Sequence, residues 1–117
     1  MLAFDIETEG LHSDVDDITV ASVYDPERGI KKTFFFQREG YDRQQNINDF
    51  LQTLDDAPSL CCFNGVRFDI PFIIARFEVD QERYTKWFMK VYYLPSRSVR
   101  IIQKSKANID TAGIRLL

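Results

Sequence analysis

The stretch from Asp17 to Gln37 restricts the fold more than any other. DITVASVYD (17–25) alternates apolar and polar residues and is rich in β-branched side chains. PERG (26–29) has Pro and Gly where a turn favours them, and IKKTFFFQ (30–37) is a further strand-like run. The spacing predicts a hairpin over 17–37. Whatever this chain folds into must contain a sheet, and the remaining segments decide which kind.

LAFDIE (2–7) reads as a short strand ahead of that hairpin. In 42–56, Ile47, Phe50, Leu51 and Leu54 recur at steps of three and four, which marks one face of a helix that Pro58 ends. SLCCF (59–63) is a short continuous apolar run, the pattern of a buried central strand, and Asn64-Gly65 is a turn. A second helix is expected over 69–79, with Asp69 near its N-terminus, Pro71 in its first turn and Phe72, Ile73 and Phe77 on its apolar side. Residues 84–106 give no clear pattern, and ANIDTAGI (107–114) reads as a last strand. The order is β-β-β-α-β-α-(insert)-β. A three-strand meander followed by α-β-α-β predicts an α/β fold, a mixed sheet with helices packed against it. In such sheets, sites gather where strands end and the order reverses.

With 117 residues the chain is one domain, 1–117, and 44% hydrophobic content with 14% aromatics is ample for a core. No apolar run approaches the roughly 20 residues of a membrane span, so no membrane partner is expected. Met1 leads directly into the first strand without a basic or cleavable apolar region, so no signal peptide is expected. Cys61 and Cys62 are adjacent in an apolar run and read as two buried thiols of a reducing compartment, cytoplasm or nucleus. Their spacing offers no zinc site, and His12 is the sole histidine.

Charge is unevenly spread. Residues 1–66 hold 13 acidic and 5 basic side chains, whereas 67–106 hold 9 basic and 4 acidic. From Arg83 to Lys106 there are seven basic residues and no acid, with Tyr84, Trp87, Phe88, Tyr92 and Tyr93 interleaved. Such a basic aromatic insert, about 83–106, suits a polyanion with stackable bases, and Arg97 and Arg100 are its candidate contacts. The competing reading is a solvated helix face followed by a basic loop, with the aromatics in the core.

FDIETEG (4–10) sets two acids inside an apolar strand. Residues i and i+2 of a strand share a face, so Asp5 and Glu7 project together near the strand's C-terminal end. Neighbouring carboxylates repel unless a cation lies between them, and their hard oxygens suit Mg²⁺ or Mn²⁺. Asp69, after the next buried strand, is the candidate third acid. Two ions roughly 3.5–4 Å apart can clamp the attacking and leaving oxygens of a phosphodiester. On spacing alone, Asp5 and Glu7 could equally be acids on an exposed strand face and Asp69 a helix N-cap.

The wider wording is more specific. FDIETEGL (4–11) resembles the first motif of the DEDD superfamily of 3′–5′ exonucleases, ribonuclease H-like enzymes. FNGVRFDIPFI (63–73) resembles their second motif, most of all as it stands in the exonuclease domains of family B DNA polymerases and stand-alone relatives. ANIDTAG (107–113) is similar to the strand that follows in those relatives. The resemblance spans nearly the whole chain. It implies a ribonuclease H-like fold, a two-metal site and a single-stranded nucleic acid 3′ end, DNA or RNA, as substrate. Asp5, Glu7 and Asp69 match the catalytic metal ligands. Thr8 and Leu11 match positions that meet the 3′-terminal nucleotide through backbone contacts and an apolar wedge. Asn64 matches the second-motif Asn, which orients the turn or touches substrate, and Phe68 either stacks near a base or packs in the core. Glu9 stands where Thr is commoner, with no evident consequence.

One motif is missing. The family carries a Tyr or His, three residues and an Asp on a late helix, and nothing after Asp69 fits. From Arg83 onward Asp110 is the one carboxylate side chain, and it matches a strand rather than that helix. The chain therefore reads as C-terminally truncated relative to the family, the fourth carboxylate and the base being supplied by a missing segment or a partner chain. Three functions stay open: a metal-dependent 3′–5′ exonuclease, a catalytically incomplete module that binds nucleic acid or a partner chain, and an inactive structural domain. A ribonuclease H-type endonuclease shares the fold but fits the NG-x-x-FD wording poorly.

Overall fold

The alternation in 17–37 folds as a hairpin. In the computed structural model, which describes residues 1–62 and 65–92, β2 (Ile18–Asp25) and β3 (Ile30–Phe35) pair antiparallel with Val20 opposite Phe35. The turn is held by the Asp25 carboxylate, which accepts from the backbone N–H of Glu27 and Arg28 and from Arg28 Nε at 2.8 Å. Gly29 takes φ +67° there, a conformation that favours glycine. Asp25 is fully buried. Burial alone would raise its pKa, but the Arg28 contacts outweigh it and hold the carboxyl below its ordinary range.

β1 (Leu2–Thr8) pairs antiparallel with β2, and β4 (Leu60–Cys61) pairs parallel with β1, giving the order β3-β2-β1-β4. This is the mixed α/β sheet expected from the meander. β4 is only two residues long, shorter than its apolar run, although Cys62 behind it is also buried. Neither cysteine forms a disulfide. One sheet face is buried: Leu2, Phe4 and Ile6 from β1, Ala21 and Val23 from β2, and Phe34 from β3. The opposite face keeps half-buried or exposed residues, among them Asp5, Glu7, Ser22, Thr33 and Phe35.

α1 (Arg43–Asp56) starts on Asp42, whose side chain accepts from Gln45 N, and buries Ile47, Phe50, Leu51 and Leu54, the face read from the sequence. Phe50 meets Phe34 with ring centroids 5.5 Å apart. A π-helical turn (Gly65–Asp69) leads into α2 (Ile70–Phe77), which ends at Glu78 in the left-handed region, φ 53°. Phe77 packs edge-on against Phe36 at 5.0 Å.

α3 (Gln81–Lys90), capped by Asp80, occupies the start of the stretch that gave no clear pattern. Its Trp87 is fully buried and donates from Nε1 to Asp55 Oδ1 at 2.7 Å. Lys90 Nζ donates to the carbonyls of Leu54, Asp55 and Ala57 at 2.6–2.8 Å. α1 has no basic residue in its own last turn. Lys90 therefore satisfies its orphan carbonyls and complements the negative end of its dipole. Burial pulls the Lys90 pKa below its ordinary 10.5, against Asp55 and Asp56, which push it up. Beyond α3, Val91 bridges Leu60 in parallel and Tyr92 N–H donates to Leu60 O at 2.9 Å. The expected basic insert thus begins as a core helix that returns to the sheet. Its remainder, with Arg97 and Arg100, and the expected last strand 107–114 lie outside the described residues, as does Asn64.

Candidate functional site

Asp5 stands opposite Ser22 and Glu7 opposite Val20, so both acids lie on the more open sheet face. The ladder then slips between Glu7 and Thr8, which pairs with Ile18. The extra residue on β2 returns Ile18 to the buried face, and it puts a β-bulge directly beside Glu7. Thr19 Oγ1 closes the bulge by donating to Glu7 O at 3.1 Å.

The loop after β1 is tied at its base. Glu9 N–H donates to Asp17 O at 3.0 Å, and Asp17 N–H donates to Glu9 Oε1 at 2.7 Å. The glutamate that seemed without consequence is a latch. Thr8 Oγ1 donates to Gly10 O at 2.6 Å, so this hydroxyl is spent inside the loop. Asp16 Oδ2 accepts from His12 N–H at 3.0 Å, and a Cβ on Gly10 would run into that carboxylate. Leu11 and Val15 are 78% and 69% exposed on the loop. Asp17 is clamped by Arg43 Nη2 at 3.3 Å and Arg76 Nε at 3.7 Å, from two different helices.

On the other flank, β4 runs parallel to β1, so the chain leaves both strands at the same edge of the sheet. The π-helical turn that follows contacts β1 and ends on Asp69. Asp69 is 4% exposed, a depth at which a carboxylate needs donors or a cation facing it. It occupies the N-cap position of α2, yet its side chain makes no capping hydrogen bond. Phe68 is half-buried against the core, its ring 5.3 Å from Phe72, which favours packing over base stacking. The hard oxygens of Asp5, Glu7 and Asp69 suit Mg²⁺ or Mn²⁺ in kind. In position, Asp5 and Glu7 share a face, and among the described residues no three His, Cys, Asp or Glu side chains stand close enough together to hold an ion.

The family model of the RNase_H superfamily matches residues 2–111, a span that includes both acid-bearing motifs. The chain belongs to the RNase H superfamily. Among solved structures, this RNase H superfamily chain is similar to the family B DNA polymerase from the hyperthermophilic archaeon Pyrobaculum calidifontis, at 25% identity and a TM-score of 0.54. The likeness covers 66% of this chain and 10% of the polymerase, so the chain corresponds to a small part of that protein. No curated protein matches the sequence. The two motifs read from the residues thus pointed to the right superfamily and to a kind of polymerase that does resemble it.

Sequence reasoning missed the parts of this RNase H-like site that hold the loop. Arg43 and Asp17 are 26 positions apart, and Arg76 reaches the carbonyl of Asp14 across 62. No local pattern records such pairs. The Glu9–Asp17 latch bridges 8 positions, and its one trace in the sequence is the acid at 9 itself.

Proposed function

We propose that this RNase H superfamily member is a metal-dependent 3′–5′ exonuclease, hydrolysing the terminal phosphodiester of a single-stranded nucleic acid with Mg²⁺ or Mn²⁺. The observation that carries the reading is the parallel pairing of β1 and β4. It brings the strand bearing Asp5 and Glu7 and the turn ending on Asp69 out at one sheet edge. Asp5, Glu7 and Asp69 would hold the ions after drawing closer together than they stand in the structure. When bound, such ions supply Lewis acidity at the scissile phosphate and ease deprotonation of water.

The chain's own residues do the positioning. Leu11 is exposed on a loop latched by Glu9 and Asp17, and in this reading it would press its apolar side chain against a terminal base. Thr8, whose hydroxyl is engaged with Gly10 O, is left to act through its backbone. Asn64 acts at the turn before Asp69. Arg97 and Arg100 neutralise the phosphates of the strand behind the end.

A second reading is a catalytically incomplete module that grips nucleic acid or a partner chain. It is favoured by the sequence from Arg83 onward, where Asp110 is the one carboxylate. In the exonuclease reading, by contrast, a fourth acid and a base would have to come from a partner chain, a further segment or solvent.

A nuclease assay decides between them. The 117-residue chain is incubated with 5′-labelled single-stranded DNA and RNA and Mg²⁺ or Mn²⁺, beside Asp5→Ala. The exonuclease reading expects a ladder shortened from the 3′ end that the variant does not make. Mn²⁺ titration by calorimetry gives a readout independent of turnover, with Asp5→Ala expected to lose binding while keeping its circular dichroism spectrum. Nucleic acid bound without any ladder would establish the module instead, and Mn²⁺ binding unchanged in the variant would overturn the assignment of the ligands.

A further inference from the structure

Two strands away from Glu7, the same face of the sheet carries an aromatic step. Glu7 pairs with Val20, and Val20 with Phe35. Directly paired residues point to one side, and strands lie about 4.8 Å apart, so Phe35 is roughly 10 Å from Glu7 along one row. Tyr41, 50% exposed, stands against Phe35 with ring centroids 5.4 Å apart. The Arg38 guanidinium lies 4.7 Å from the centre of the Phe35 ring and 5.9 Å from that of Tyr41. The turn that brings them together has Tyr41 N–H donating to Arg38 O and Gly40 at φ +86°.

None of the three side chains is part of the buried core. Among the described residues β3 is an edge strand, so the cluster sits on the rim of the sheet, with Tyr41 exposed to solvent. It is also a cation held in the acidic half of the molecule, where acids outnumber bases 13 to 5 over residues 1–66. Aromatic faces take bases of any sequence, and a guanidinium offers both a stacking plane and fixed charge for a phosphate.

We propose that Phe35, Arg38 and Tyr41 form a stacking platform for the bases of a single strand whose 3′ end lies at Asp5 and Glu7. The inference rests on the proposed function for where that end lies. At the roughly 3.4 Å rise of a stacked strand, 10 Å is about three nucleotides. A dinucleotide at the acids therefore falls short of the platform, and a longer strand crosses it.

The test is fluorescence anisotropy with labelled oligothymidylates of two to about ten nucleotides, in Ca²⁺ to limit cleavage. The full chain is compared with Tyr41→Ala, Phe35→Leu and Arg38→Ala, each checked for fold by circular dichroism. Tyr41→Ala is expected to weaken binding of the long strands about tenfold, within the range for one lost stacking contact, and to leave the dinucleotide unchanged. Phe35→Leu keeps apolar packing but removes the ring, and should show the same length dependence. Arg38→Ala should reduce the slope of log K against log salt by about 0.7. Unchanged affinity and slope for long strands in all three variants overturn the platform, as does an equal loss for short and long strands, or no binding by the unaltered chain. The outcome separates from that of the parent reading. Cleavage by the unaltered chain with indifferent variants removes the platform alone. Binding that depends on Tyr41 without any cleavage removes the exonuclease alone.

Discussion

At the scale of single residues, Gly10 shows how the first motif is shaped by space. A methyl group there would displace the Asp16 carboxylate from the His12 N–H it accepts. Gly10→Ala is expected to cost about 1–2 kcal/mol in thermal or denaturant unfolding, and Gly10→Ala with Asp16→Ala less than the sum of the two singles, because the clash disappears with the carboxylate. Asp25 gives a prediction in pH. Its folded pKa is lowered from the ordinary 3.8, so its stabilisation is present above 3.8 and lost as pH falls through the lower, folded value. Replacing it by Asn should cost about 2 kcal/mol at pH 7. The gap in melting temperature between the two proteins should close below pH 3.8, and a gap constant down to pH 2 would contradict the assignment. The shared face of Asp5 and Glu7 was legible because strand parity alone fixes it. The role of Glu9 was not, since a latch is a property of two segments and only one of them lies in the motif.

At the scale of elements, α1 and α3 form one unit. Trp87 and Arg83 both bind the Asp55 carboxylate, and Lys90 closes the end of α1 with three hydrogen bonds. Lys90→Met keeps the apolar stem but strands those carbonyls, and is expected to cost about 2–3 kcal/mol, read as a lower denaturant midpoint. α1 was readable because four apolar residues repeat on one face. α3 was not, because Trp87 alone is buried among its side chains and the rest of its anchoring is polar. Helical periodicity reports apolar stripes, and this helix is fastened by ion pairs and hydrogen bonds. β4 erred the other way. Its apolar run is longer than its pairing, since Cys62 is buried without extending the ladder.

At the scale of the whole molecule, the order of strands followed from the pattern along the chain, and the superfamily followed from two motifs in order. The distribution of charge carries its own prediction. Reversing Arg97 and Arg100 to Glu should weaken single-strand binding and flatten its dependence on salt, and a titration at several salt concentrations checks both. Among the described residues no helix is long and apolar enough to cross a membrane. What the sequence could not convey was which sheet face stays open beside the acids. That depends on registers set by the hairpin turn and by the bulge after Glu7.

β1 lies between an antiparallel neighbour from the hairpin and a parallel one that begins only at Leu60. Synthesis proceeds from the N-terminus, so the meander and α1 emerge first, while one flank of β1 still waits for its partner. During that interval the nascent chain offers a bare strand edge with an apolar face, an invitation to pair with a neighbouring copy. The two residues of β4, which pair with Leu2 and Ala3, and the turn behind them that contacts β1 are the first to cover that flank.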